Sequence, residues 1–286
     1  MTAGGTGTAG GSAEGVLVDG TRLLVTGAAG RVAGQLLPGL ADRHELRLTD
    51  LGADTAHSAG PDLVVGELTD RDLLDDLLEG VDAVVHLAGN PDPSASWGQL
   101  REPNIEAFTL LLSTARSHGV RRVVFASSVH AMGVYEGLGR WPVDPAWPPA
   151  PCCAYGATKA FDEALARVYS YRSPMSLIGL RLGLCTPDPS DAEAAAGWTG
   201  PADLQHIVLR ALETDVRFGV YHAMSWPSRR RWNLDATMAE LGYEPDREGQ
   251  RADLTDGVGA GHLSTCGAHA EDEELVEPAK ADGPGR

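Results

Sequence analysis

The chain has 286 residues, 43% of them hydrophobic, enough for one large or two small domains with a sizeable core. Its formal net charge of −17 argues against nucleic acid and anionic membrane surfaces as partners. No apolar run reaches the ~20 residues of a membrane helix, and no basic segment leads into an apolar one at the N-terminus, so a cytoplasmic protein is expected.

Residues 1–20 are dominated by Gly, Thr, Ala and Ser and read as a disordered tail. Such a segment buries too little apolar surface to offset its ordering entropy. Residues 21–26 then read as a buried strand and 31–40 as a helix. Between them lies Gly27-Ala-Ala-Gly30, followed by Arg31, Val32 and Ala33. Glycines at a strand-to-helix turn let backbone approach a pyrophosphate, and the helix N-terminus offers free N–H groups. A second strand, 45–50, ends in Asp50, 23 residues after Gly27. A carboxylate there accepts from an adenosine ribose diol and repels a 2′-phosphate, which favours NAD over NADP.

Strands and helices go on alternating. Residues 62–67 read as a strand, 70–78 as a helix, and 82–89 as a buried strand ending in small residues. Residues 102–118 read as a helix with Ile105, Phe108, Leu111 and Leu112 on one face. Residues 121–128 form another strand, ending in Ser127-Ser128. This alternation predicts a doubly wound α/β fold with a parallel sheet, its ligands at the carboxyl ends of the strands. Gly27, Asp50, Gly89 and Ser128 all fall at such ends.

The next helix, 155–172, carries Tyr155-Gly-Ala-Thr-Lys159. Residues four apart share a helix face, so the Lys159 ammonium can favour the charged form of the Tyr155 phenol. A phenol so tuned can exchange a proton with a substrate hydroxyl. Residues 175–182 and 218–224 read as strands, 202–214 and 233–241 as helices. Residues 247–286 read as a disordered acidic tail. The four cysteines show no C-x-x-C spacing and the nine histidines no H-E-x-x-H, so neither a metal nor a disulfide framework is expected.

The chain resembles the extended short-chain dehydrogenases/reductases of the NAD-dependent epimerase/dehydratase type, and within them the uronate dehydrogenases. The runs that carry the resemblance are Leu23-Leu-Val-Thr-Gly-Ala-Ala-Gly30, Val124-Phe-Ala-Ser-Ser-Val-His130, Tyr155-Gly-Ala-Thr-Lys159, Leu180-Arg-Leu-Gly-Leu-Cys-Thr-Pro-Asp-Pro189 and Leu241-Gly-Tyr-Glu-Pro245. It implies a Rossmann-like domain over 21–184 and a small substrate-binding portion over 185–246. It implies NAD as cofactor, with Gly27, Gly30, Arg31, Val32, Leu87, Ala88 and Gly89 along it. Asp50 and Leu51 would hold the ribose, Glu67 and Leu68 would contact adenine. Tyr155 would be the acid/base, Lys159 its tuner and a ribose ligand, and Ser128 the donor to the reacting oxygen. Asn104 joins the catalytic set and His130 the substrate contacts. Oxidation of a sugar hydroxyl is the implied activity, with a small-molecule substrate as partner and a homodimer through the helix at 155–172. A sugar epimerase or dehydratase, or a non-catalytic NAD-sensing regulator, is the alternative.

Four substrate positions depart from the resemblance. Pro91, Val129 and Leu184 replace polar residues. Glu193 aligns with the arginine that takes a uronate carboxylate, where a like charge is repulsive.

Overall fold

The computed structural model describes residues 17, 19–52 and 62–246, the side chains of Glu193, Pro227 and Arg230 excepted. Most of both expected tails lies outside the described residues. Of the expected N-terminal tail, Leu17 is buried in the core, and Asp19 pairs with Arg43 at 2.8 Å.

In chain order the strands are β1 (Arg22–Thr26), β2 (Glu45–Asp50), β3 (Leu63–Val65), β4 (Ala83–His86), β5 (Arg122–Ser128), β6 (Ser176–Leu182), β7 (Leu184–Cys185), β8 (Trp198–Thr199) and β9 (Phe218–Ala223). The helices are α1 (Arg31–Ala41), α2 (Arg71–Leu78), α3 (Trp97–Leu100), α4 (Ala107–Ser117), α5 (Gly133–Gly137), α6 (Ala154–Arg172), α7 (Ala192–Ala195), α8 (Pro201–Glu213) and α9 (Asp235–Leu241). Seven strands form one sheet in the order β3-β2-β1-β4-β5-β6-β9, every neighbouring pair parallel. The doubly wound fold expected from the alternation is thus present. Its strand order reverses between β1 and β4, where such sheets bind ligands.

Side chains alternate across each strand, so one sheet feeds two cores. Leu23, Val25, Val85, Val124, Ile178 and Leu180 pack under α1 and α8 with Leu36, Leu204 and Val208. Leu24, Val84, Val123, Phe125 and Leu177 pack on the other face with Leu74, Phe108, Leu112 and Ala166. The segment expected to form a small C-terminal portion therefore supplies the seventh strand and a covering helix. Beside the main sheet, β7 and β8 make a two-stranded parallel ladder.

One helix differs in form from its sequence reading. The expected helix at 102–118 is a π-helical segment, Arg101–Glu106, that runs into α4. Pro103 explains the widening: it donates no N–H, and its ring crowds the carbonyl four residues back. Asn104 lies in this widened turn and is buried.

Two core histidines contribute to the acid sensitivity of the fold. His86 is fully buried, stacks on Phe108 and bonds Thr26 Oγ1 through Nδ1 at 2.8 Å. His222 Nδ1 lies 3.1 Å from the Asn233 carbonyl. Burial, helped by the charge of Lys159 on His86 and of Arg181 on His222, lowers each from 6.5 to about 3. The unfolded chain protonates both near pH 6.5, the folded chain only near 3. Their contribution is therefore complete above pH 6.5 and is lost as pH falls toward 3, at about 1.4 kcal/mol per unit for each histidine. Urea midpoints measured from neutral pH downward should fall through this window. A flat profile would show that neither ring matters to acid stability.

Candidate active site

The carboxyl edge of the sheet gathers the residues expected to hold a dinucleotide. Gly27 follows β1 at φ +68°, and a Cβ there would stand 2.7 Å from Ala88 N. Only glycine fits a left-handed turn pressed against the end of the neighbouring strand. Gly30 caps α1, whose first turn has no acidic residue and whose cap forms no side-chain bond, so its N–H groups suit an anion. Arg31, Val32, Leu87, Ala88 and Gly89 line a cleft of about 430 Å³ that opens from this turn. At the end of β2, Asp50 is tied to the turn. Its carboxylate accepts from Ala29 N at 2.9 Å and from its neighbour Leu51 N at 2.7 Å. Leu51 is exposed, Glu67 is exposed and Leu68 is buried just beyond β3. These three and Asp50 lie along the same sheet edge, outside the cleft walls. The glycine cradle, the open helix terminus and the fixed carboxylate together fit NAD.

The carboxylate makes a testable difference to cofactor choice. Asp50→Ala should weaken NAD by about 10-fold or more, as expected for lost charge-assisted bonds, and narrow the gap to NADP. Calorimetric titration with both cofactors measures this. Tighter binding of NADP than NAD by the unaltered chain would assign Asp50 another task.

Across the cleft stand Ser128, at the end of β5, and Tyr155 and Lys159 on α6; all three are cleft walls. Lys159 Nζ lies 5.8 Å from the centre of the Tyr155 ring, so the shared face expected from the spacing is present. The ammonium is buried and meets Asp162 at 3.3 Å. Burial pulls Lys159 down, but Asp162 and then Tyr155 outweigh it, and the group ends above its ordinary value. Asp162 is pushed up to about 7, because burial penalises its carboxylate more than Lys159 restores. The ammonium is the firmer charge of the pair, having anionic neighbours on two sides.

The other expected residues divide by position. His130 lines the cleft, its ring edge-on to Tyr155 at 5.5 Å between centres. Asn104 is not a cleft wall. Its Oδ1 accepts from Asn90 N at 2.7 Å, and its Nδ2 donates to Asn90 O and to Thr158 Oγ1, both at 3.1 Å. It ties the loop after β4 to α6, so it positions the site. Ser127 donates to Glu163 at 2.6 Å, and Arg181 makes a two-pronged pair with Glu163, both contacts at 2.8 Å. Arg181 is thus a structural ion pair. The backbone of Glu193 lies in α7, whose Ala194 lines the cleft; its side chain lies outside the described residues.

Some walls escaped the sequence reading. Glu136 and Trp232 reach the cleft from α5 and from a turn nearly a hundred residues later, joined by an isolated bridge between Val143 and Trp232. No spacing in the sequence links them. Arg231 pairs with Glu136 at 2.6 Å, both buried, and lies over the Trp141 ring at 4.2 Å. Gly156 explains how α6 comes so near His130: a side chain there would run into the His130 carbonyl.

Residues 23–185 match the NAD dependent epimerase/dehydratase family. An NAD-dependent glucose-6-phosphate dehydrogenase of Haloferax volcanii is 31% identical over 242 residues, 78% of this chain and 92% of that protein. An L-arabinose 1-dehydrogenase (NAD(P)(+)) of the same organism is 31% identical over 247 residues, 78% of this chain and 96% of that protein. Among solved structures, a mutant uronate dehydrogenase of Agrobacterium tumefaciens complexed with NAD is 29% identical, with a TM-score of 0.73 over 83% of this chain and 88% of that one. No described helix is long and apolar enough to cross a membrane. The chain belongs to the NAD-dependent epimerase/dehydratase family, as an enzyme of the short-chain dehydrogenase/reductase type with NAD as its cofactor.

Proposed function

We propose that the chain oxidises a hydroxyl of a neutral sugar or similar polyol, and that uronates are poor substrates. One observation carries the substrate reading. Pro91, Val129 and Leu184, which replace polar residues of the resembling enzymes, are all cleft walls. An anionic sugar needs a cation, best an arginine that grips two oxygens at once. Among the described cleft walls the Lys and Arg residues are Lys159 and Arg31 alone. Lys159 is matched by Asp162, and Arg31 opens α1 at the cofactor turn. Arg231 is matched by Glu136, which adds a carboxylate to the wall.

In this reading Tyr155 takes the proton of the substrate hydroxyl while hydride leaves the same carbon. NAD, when bound, supplies the hydride acceptor. Ser128 donates to the reacting oxygen, and Lys159 holds the phenolate electrostatically. His130 contacts the substrate from the rim. The exposed Phe161, Val168 and Tyr171 of α6 support a homodimer through that helix. An epimerase or dehydratase of nucleotide sugars is a weaker reading, since residues 185–246 leave little chain for a diphosphate lobe. A non-catalytic regulator is weaker still, because Tyr155 and Lys159 are both present.

The test compares kcat/KM for arabinose, glucose and galactose with that for glucuronate and galacturonate. Neutral sugars should lead by about 10-fold or more, and Glu193→Arg should raise glucuronate turnover by about as much. Glucuronate turned over as efficiently as the neutral sugars by the unaltered chain would overturn the substrate reading and leave a uronate dehydrogenase.

A further inference from the structure

We infer that His130, Cys152 and Cys153 form a binding site for a soft, thiophilic cation of the zinc class at the rim of the active cleft. The three ligand atoms all lie within 4.8 Å of one another. His130 Nδ1 stands 3.5 Å from Cys152 Sγ and 3.5 Å from Cys153 Sγ. A tetrahedral zinc ion, with Zn–S of about 2.3 Å and Zn–N of about 2.0–2.1 Å, has N···S edges of about 3.6 Å. Both observed edges match that figure. Cys152 Sγ also donates to the His130 carbonyl at 3.7 Å, a bond that its thiolate would give up on binding the ion. A cation between the three atoms is the partner that all of them can share.

The scaffold holds this geometry in place. Cys152 N donates to the His130 carbonyl at 3.2 Å, and Ala150 N to the Ala131 carbonyl at 2.9 Å. The segment before α6 is thereby pinned to the turn that carries the histidine. Cys153 caps α6, and its sulfur accepts from Gly156 N at 3.4 Å. Such outer bonds orient the sulfur of a metal ligand. All three ligands are half-buried, within reach of an ion from solvent. Thiolate and imidazole select zinc-class ions over magnesium or calcium. The two thiols release their protons to solvent as the ion binds.

The site has a consequence for the cleft. His130 is a cleft wall beside Tyr155, and an ion on Nδ1 would fix its ring. Zinc is therefore expected to slow turnover reversibly. The motif eluded sequence reading because two ligands are adjacent and the third is 22 residues earlier, a spacing shared with no common zinc pattern.

The test uses the full-length reduced protein. Cobalt(II) serves as the spectroscopic probe and zinc alone as the ion in equilibrium dialysis. The unaltered chain should take one cobalt with a thiolate-to-metal charge-transfer band and the visible bands of tetrahedral coordination. Cys152→Ser/Cys153→Ser keeps a hydroxyl cap on α6 and should weaken zinc by about 100-fold or more. Inhibition by zinc, relieved by a chelator, should vanish in the same variant. A cobalt spectrum without thiolate bands would overturn the proposal on the unaltered chain alone, whatever the variant's folding. Equal zinc affinity in a folded variant would overturn it too. Binding is read without substrate, so its outcome is separate from that of the sugar assignment.

Discussion

Tyr155→Phe is expected to cut turnover by about 10²–10⁴-fold while leaving NAD affinity almost unchanged. The substitution removes one oxygen from a half-buried ring and keeps the ring's packing against His130. Ser128 accepts from His130 N at 3.2 Å and Lys159 is bound to Asp162, so neither takes over from the lost phenol. The cofactor cradle lies across the cleft on β1, β2 and β4, so binding should not register the change. Steady-state turnover and calorimetric NAD titration on the same preparation separate the two effects. Near-normal turnover in the phenylalanine variant would remove Tyr155 from the chemistry and revive the regulator reading.

The second large effect is on stability and follows from Lys159→Met. Asp162 is buried, its Oδ1 makes no hydrogen bond, and among the described residues Lys159 is the cation that lowers it. Removing one partner of a buried pair typically costs ~3–5 kcal/mol, because the other charge is left alone. Asp162 has a way out: it can take a proton. Burial already raises it from 3.8 to about 7, and without Lys159 it climbs further. A carboxyl raised in the folded state stabilises below its unfolded value and loses that contribution as pH rises through its folded one. The variant should therefore lie closer to the unaltered chain at about pH 5.5 and fall well below it at about pH 8.5. Urea midpoints of both proteins at the two pH values measure the difference. Lys159→Met/Asp162→Asn, which has no carboxyl to ionise, should lose the pH dependence. An equal deficit at both pH values in the single variant would show that the pair is not coupled in this way.

The residues that were legible in the sequence are those whose geometry is local. Gly27, Gly30 and Asp50 could be placed because a turn and two strand ends fix them. Tyr155 and Lys159 could be placed because a helix alone sets their common face. Asp162 and Glu163 were not read, since adjacent acids on a helix look like a solvated stripe. The fold buries both, one against Lys159 and the other against Arg181 and Ser127. Their role depends on what α6 packs against, which periodicity does not reveal. The same holds for Glu136 and Trp232, which reach the cleft through tertiary contacts, and for the two cysteines beside His130. Pro103 could have signalled the π-helical turn, because a helix interior seldom tolerates proline unchanged. Asn104, in that turn, holds the loop after β4 against α6, a contact that periodicity does not reveal.

Net oxidation of a sugar hydroxyl by NAD is read from the accumulation of NADH. Purified protein, NAD and a panel of neutral aldoses and uronates are followed by the near-ultraviolet absorbance of NADH, with the sugar product quantified alongside. One NADH should form per sugar oxidised, with neutral sugars leading the uronates. Sugar conversion without net NADH, by epimerisation or loss of water, would contradict it.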